Sequence, residues 1–333
     1  SALGFSEDAE GTMAYLSSLC GQLKNMVWKT DFDLANLLLL NSLRAGRVLP
    51  SYTEAVSSYA DAKVDIRDFV SESEAIAKDV NAWSDKHTKG RIPKLVEPGT
   101  FTFSQVSHII NALYFKSQWS KPFKEEDTKP ANFTSLNGNK ASVPMMHQTE
   151  KFDYYEDSDL QALTMEYGNG AFSYTAILPK TGTSIGAVAG ELENGLFQKI
   201  SEQSSEQKVV VSLPKYEQEF TVDMIPLCQS LGLTLPFGEK ADFSRMIQSN
   251  DVVRVTAFEQ KLFISVDESC AEASAVSRIE IDGGTAPPPG ASHDIFFNAN
   301  HPFIYLVSET SSQTVLFVGL FDKSSSGELS WLY

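Results

Sequence analysis

Hydrophobic and polar positions follow two periods along this 333-residue chain, and the character changes near residue 101. Met13, Leu16, Leu19 and Leu23 stand three or four apart, which puts them on one face of an opening helix. Phe32 to Leu40 is a dense apolar run that reads as a buried strand. Ser71-Glu72-Ser73-Glu74 has the form of a capping box, in which serine and glutamate satisfy orphan amides reciprocally at a helix start. Ile76, Val80 and Trp83 supply that helix's apolar face, and Gly90 its stop. From residue 101 onward the runs are short and β-rich: Val106–Phe115, Leu160–Tyr167, Phe172–Leu178, Val209–Leu213, Leu262–Val266, Ile304–Val307 and Val315–Val318. Asn169-Gly170 between two of these runs is a strong hairpin-turn signal. Helical pieces intervene near Ser184–Lys199 and Val222–Leu231. With no fixed repeat and no Pro/Gly/Ser linker, the pattern predicts one α+β domain over 1–333. Its sheet system is large and mostly antiparallel, with helices concentrated early.

One stretch departs from ordinary loop behaviour. About 30 residues between Val266 and Phe296 have no obvious partner element, where compact domains keep connections under ~15. Ala271, Ala273, Ala275, Ser277, Ile279, Ile281 and Gly283 alternate with Glu272, Ser274, Val276, Arg278, Glu280 and Asp282. One face is small or aliphatic and the other, Val276 apart, is polar, which is the period of a half-buried strand. No proline interrupts it before Pro287, so every amide can join a ladder. The ~14 residues from Cys270 to Gly283 make a strand of ~45 Å, against a usual ~20 Å. The plain reading is an edge strand followed by a mobile Pro/Gly loop. Small residues at the first inward positions fit something narrower, a strand that slides between neighbours already packed over a core.

Composition narrows the partners. With 42% hydrophobic and 11% aromatic residues, 20 Gly and 14 Pro, the chain is ordinary globular material, which excludes disorder, collagen and a disulfide miniprotein. A formal charge of −16 repels phosphate backbones and anionic lipids, so neither nucleic acid nor membrane is an expected partner. The longest apolar run, Val315 to Phe321, is far short of the ~20 residues of a membrane span. Cys20, Cys228 and Cys270 are too few and too scattered for a disulfide framework, and Cys20 and Cys228 fit helix core positions. His87, His108 and His147 show no ligand spacing, so no metal or cofactor is expected. Asn132-Phe133-Thr134 is a glycosylation sequon, meaningful only in a secretory pathway. The given chain opens at Ser1 without a signal peptide or an initiator Met.

The segment Asn111-Ala112-Leu113-Tyr114-Phe115-Lys116-Ser117-Gln118-Trp119-Ser120-Lys121-Pro122-Phe123 resembles the most distinctive stretch of the serpin family. Val80-Asn81-Ala82-Trp83 with Thr88-Lys89-Gly90-Arg91-Ile92 is similar to the helix that crosses that family's main sheet. Val211–Tyr216, Ala241–Met246, His301-Pro302-Phe303 and Leu316–Gly319 match later serpin segments in the right order. The resemblance implies a three-sheet domain, an exposed reactive loop over 267–295, and the work of a protease inhibitor rather than an enzyme. Cleavage frees the loop to insert as an extra central strand, carrying a covalently acylated serine protease to the far pole. Such strain release is an established behaviour of serpins. The inhibitor supplies no catalytic residue, and its native state is kinetically trapped. The resemblance also implies a monomer that is secreted, and several helices and a strand ahead of the first helix here.

Position by position, Glu268 matches the base of the loop. Ser269-Cys270-Ala271-Glu272-Ala273-Ser274-Ala275-Val276-Ser277 lies where the inhibitory hinge of serpins reads E-G-T-E-A-A-A-A-T. Cys270 replaces a flexible glycine there and Ala271 a threonine, but neither is bulky or charged. Asn111 and Trp119 fall at the centre and top of the main sheet, and Gln260 replaces the usual histidine partner of Asn111 with a neutral amide. Family spacing puts the scissile bond at Gly284–Thr285, with Thr285–Ala286 or a nearby bond as the alternative. Small residues there suit a protease with a shallow primary pocket, elastase-like or subtilisin-like. Cleavage at Arg278 leaves too short a strand and inactivates the loop.

Two rivals differ in class. A non-inhibitory serpin acting as a binding or chaperone module shares the fold but lacks an effective hinge. A serine hydrolase is suggested by Gly182-Thr183-Ser184-Ile185-Gly186, a G-x-S-x-G pattern followed by His293 and His301. That motif needs Ser184 at a tight strand-to-helix apex, yet Pro179-Lys180-Thr181 intervene, so Ser184 reads as a helix cap.

Overall fold

The computed structural model describes residues 8–25, 30–44, 46–59, 62–248, 252–268 and 294–323. The expected hinge over Ser269–Ala275, the alternating strand to Gly283 and the bond Gly284–Thr285 lie outside them. The helices are α1 (Ala9–Asn25), α2 (Pro50–Tyr59), α3 (Ser73–His87), α4 (Ile185–Glu193), α5 (Leu196–Gln203) and α6 (Met224–Ser230). The early strands are β1 (Thr30–Asn41), β2 (Arg47–Val48), β3 (Ala62–Arg67) and β4 (Ser107–Ser117). A middle group comprises β5 (Lys129–Thr134), β6 (Lys140–Glu156), β7 (Leu160–Tyr167), β8 (Phe172–Pro179), β9 (Ser205–Pro214) and β10 (Tyr216–Asp223). The last are β11 (Ile247–Gln248), β12 (Ala257–Val266), β13 (Ile295–Asn298), β14 (Phe303–Glu309) and β15 (Val315–Phe321).

They form three sheets. A five-stranded sheet runs β10-β12-β4-β1-β3, a small one pairs β2 with β11, and the largest runs β13-β9-β6-β7-β8-β14-β15 with β5 beside β6. The sheet system is mostly antiparallel, as the pattern predicts, with three parallel pairings, β1 with β3, β4 with β12 and β9 with β13. Strands that read as continuous apolar runs are buried on both faces, as such runs require. Leu37 and Leu39 of β1 pack with Ile76, Ala77 and Val80 of α3, while Leu38 and Leu40 turn to Val106, Met246 and Ile247 on the other side. Between the two large sheets lies an aromatic core that includes Phe115, Trp119, Tyr167, Phe172 and Tyr174. Each such side chain contributes roughly 1.5–3 kcal/mol by leaving water.

The turn at Asn169-Gly170 joins β7 to β8 with Tyr167 opposite Phe172, and Gly168 and Gly170 take φ of 54° and 85°. These left-handed values are accessible to glycine without a steric cost. The capping box does not form. Glu72 rather than Ser71 stands at the N-cap of α3, and its carboxylate makes no cap bond but accepts from Arg67 Nε at 2.7 Å and from the Asp68 amide at 3.2 Å. Ser71 lies one residue ahead of the cap, its amide donating to Asp68 Oδ1 at 3.0 Å. Gly90 does end the helix, at φ 80° with its amide donating to the Asp85 carbonyl at 2.8 Å. Sequence patterning missed α2, the short strands β2, β5, β11 and β13, and also β3, β10 and β6. The last is 17 residues long and carries Pro144 and several charges, which hide its buried positions Val143, Met145, Met146 and Phe152.

Candidate functional site

The central strand of the five-stranded sheet, β4, joins β12 in parallel, in register from His108 opposite Ala257 to Phe115 opposite Ile264. A chain leaving the end of β12 and turning back would run antiparallel to β12, and so antiparallel to β4 as well. Placed between them it would replace one parallel junction with two antiparallel ones, which pair slightly better per residue. The topology is thus compatible with an added strand at this junction. α3 lies across one face, with Ile76, Ala77 and Val80 against Ile110 of β4. Beyond the helix, Ile92 packs on Tyr114 and Phe263.

At the sheet centre, Asn111 of β4 stands opposite Asn36 of β1 and Gln260 of β12. Gln260 Nε2 donates to Asn111 Oδ1 at 3.1 Å, and Asn111 Nδ2 donates to Asn36 Oδ1 at 2.9 Å. Three amides therefore form a row across three strands, spanning the β4–β12 junction. None of them titrates in the ordinary range.

At the top, where β12 ends, Trp119 Nε1 donates to the Asp267 carbonyl at 2.7 Å. Its ring stacks on Tyr167, with centroids 4.3 Å apart and planes 14° from parallel. The next residue, Glu268, is only 5% exposed. It accepts from Thr128 Oγ1 at 2.7 Å and from Lys215 Nζ at 2.5 Å. Burial pushes the Glu268 carboxyl up, but bonds from Lys215, Thr128 and the backbone outweigh it and hold the group below the usual glutamate range. The same bond raises the Lys215 ammonium. The chain entering the predicted loop is thus tied at two successive residues, one through its carbonyl and one through its carboxylate.

Glu268, Trp119, Asn111 and Gln260 therefore line the β4–β12 junction and its upper end. Ser269, Cys270, Ala271, Glu272, Ala273, Ser274, Ala275, Gly284 and Thr285 fall outside the described residues. Thr128 and Lys215 escaped the sequence reading. Lys215 sits inside a recognisable segment, but its partner is 53 residues away and no local pattern joins the two. Ser184 is a helix cap: its Oγ accepts from the Ala187 amide at 3.1 Å at the start of α4. His301 bonds to Asn300 Oδ1 and the Pro179 carbonyl, both at 2.9 Å. His293 lies outside the described residues. With its oxygen committed to the helix amide and His301 bonded elsewhere, Ser184 does not have the surroundings of an activated nucleophile. Of the cysteines, Cys228 is buried on α6 and Cys20 half-buried on α1. Among the described residues no helix is long and apolar enough to cross a membrane.

The family model described as Serpin (serine protease inhibitor) matches residues 1–323. An uncharacterized serpin-like protein of Thermococcus kodakarensis is 34% identical over 252 residues, covering 76% of this chain and 57% of the relative. The chain thus spans little more than half the length of that protein. Serpin I2 of Homo sapiens is 29% identical over 308 residues, covering 91% of this chain and 74% of the relative. Among solved structures, the native state of the thermophilic serpin tengpin matches with a TM-score of 0.84 and 26% identity, over 97% of this chain and 81% of that one.

Proposed function

This chain belongs to the serpin family, and from that premise we propose that it is a suicide-substrate inhibitor of serine proteases with small-residue primary specificity. The observation that carries the reading is the parallel β4–β12 junction, which ends at the anchored Glu268 and is followed by a run of alternating small residues. A target protease binds residues around Gly284–Thr285 as substrate. Its serine oxygen bonds to the Gly284 carbonyl carbon, the Gly284–Thr285 bond breaks, and the serine proton passes to the departing Thr285 amine. The acyl ester then hydrolyses only if water reaches it before the freed strand enters the sheet. The ~14 residues from Cys270 to Gly283 span ~45 Å, longer than the ~36 Å of the eleven-residue β4. A strand of that length carries the tethered protease the whole height of the sheet.

The hinge in this reading is Glu268 to Ala275. On an inserted strand the alternation would put Ala271, Ala273 and Ala275 on the inward face, where side chains must pass between β4 and β12. The family resemblance extends the reading to a secreted monomer whose partner is the protease in its covalent acyl complex. Incubation with an elastase-type serine protease tests it. The expected result is an SDS-resistant complex and a large rise in melting temperature of the loop-cleaved protein. Cleavage accompanied by neither outcome sinks the inhibitor and leaves the non-inhibitory binding module.

A further inference from the structure

The lower end of the β4–β12 junction carries a feature that strand insertion does not need. His108, the second residue of β4, is 1% exposed, and its Nε2 lies 3.2 Å from Oε2 of Glu259 on β12. His108 stands opposite Ala257, so the bond runs diagonally across the junction to the residue two further along on the same face. Nδ1 of the ring is buried without a partner, so Glu259 provides the only hydrogen bond among the described residues to this imidazole. The Phe101 ring lies 5.5 Å from the imidazole. A buried imidazole and a half-buried carboxylate are costly to place in a sheet, where a pair of aliphatic residues would pack without that penalty. The hydrogen bond from His108, against the effect of burial and with help from Lys261, holds the Glu259 carboxyl below its usual range.

Two further contacts lie beside this pair. Thr256 Oγ1 donates to the Ser107 carbonyl at 2.8 Å, and Ser107 Oγ donates to the Arg254 carbonyl at 3.3 Å, which continues the stitching below the backbone ladder. Lys261, also on β12, turns the other way and donates to Glu219 of β10 at 3.0 Å. Separation of β12 from β4 therefore leaves Lys261–Glu219 intact, since β10 and β12 stay paired, and must break His108–Glu259.

We infer that His108 and Glu259 form a clasp across the insertion junction that holds its lower half shut and slows the last part of strand entry. The inference rests on the proposed function. A strand returning antiparallel from Glu268 meets the Asn111–Gln260 row after about eight residues and Glu259 about one residue later. The hinge can thus enter the upper junction while the clasp is closed, and full transit has to open it. His108 and Glu259 act as positioning residues that set how fast the sheet completes its expansion. That rate competes with acyl-ester hydrolysis and so divides the outcome between trapping the protease and releasing it.

The test uses the full chain with an intact loop and a synthetic peptide copying Ser269 to Gly283, and follows peptide uptake by native-gel shift and by the rise in melting temperature. Uptake by Glu259→Leu, which has no acceptor for the imidazole, and by His108→Ala is expected to be about tenfold faster than by the unaltered protein. The double variant should be no faster than the faster single one, because both changes open the same contact. Glu219→Leu, which removes a comparable bond outside the junction, should match the unaltered protein. Glu259→Leu is close to glutamate in size, has no acceptor, and keeps the proposal testable if His108→Ala does not fold. Unchanged uptake in Glu259→Leu, additive effects in the double variant, or equal acceleration by Glu219→Leu overturns the clasp. Failure of the unaltered protein and every variant to take up the peptide instead removes strand insertion itself, and the clasp falls with it.

Discussion

Replacing Glu268 by glutamine tests the anchoring of the loop base most directly. The carboxylate is nearly buried and accepts two bonds, from Thr128 at 2.7 Å and Lys215 at 2.5 Å. An amide offers one oxygen and one NH2, so one of the two donors then faces another donor. A charge-assisted bond of this kind contributes ~1.5–3 kcal/mol. The Lys215 side chain is 45% exposed, so solvent screening reduces the net to ~1 kcal/mol. For a 333-residue chain Glu268→Gln should lower the melting temperature by about 1–2 °C at pH 7. Scans belong at one fixed heating rate, since a trapped native state unfolds under kinetic control.

The pH dependence gives that experiment a sign. The folded Glu268 carboxyl lies below its ordinary value of 4.5, so the folded chain binds this proton less readily than the unfolded one. Its stabilisation is complete above the ordinary value and disappears as pH falls through the lower, folded one. Lys215 is raised above 10.5, so its share is complete below that value and lost as pH climbs through the folded one. The gap between the two proteins should be widest in the neutral range and close at both extremes. Under the proposed function the looser base should also convert spontaneously to a more heat-stable form about fivefold faster, matching a barrier lowered by ~1 kcal/mol. Equal melting temperatures at pH 7, or a gap that survives full protonation of the carboxyl, would refute the reasoning.

Four more variants probe the sheet and the proposed hinge. Under the proposed function Ala273→Arg puts a bulky charge at an inward position of the inserting strand, so elastase-type protease should cleave the loop without forming an SDS-resistant complex, whereas Glu272→Arg, on the opposite face of the alternation, should still form one. Loss of both side-chain bonds in Asn111→Ala should cost ~2 kcal/mol in denaturant unfolding, and a shift of under ~0.5 kcal/mol would contradict the amide row. In Gly319→Ala the added Cβ would sit 2.4 Å from the Tyr305 ring, which is 1% exposed and hydrogen-bonded to Gln218, so a loss of ~1–3 kcal/mol is expected by the same measurement.

The sequence alone determined the elements whose apolar pattern is strong and local. These include β1 with its run of leucines, β7 and β8 on either side of Asn169-Gly170, and α3 with its glycine stop. It also determined the family, through ordered segments that survive outside any one contact. The capping box at Ser71–Glu74 does not form because α3 starts one residue later, with Glu72 at the N-cap and the Ser71 amide bonded to Asp68. What only the tertiary structure decided is which residues meet across long separations. Glu268 with Lys215 and Thr128, Gln260 with Asn111, and Glu259 with His108 are joined over 53 to 151 residues. Periodicity reports which face of an element a side chain occupies, whereas strand order and register decide what stands opposite it. The parallel contact of β4 with β12, on which the proposed function turns, comes from that second kind of information.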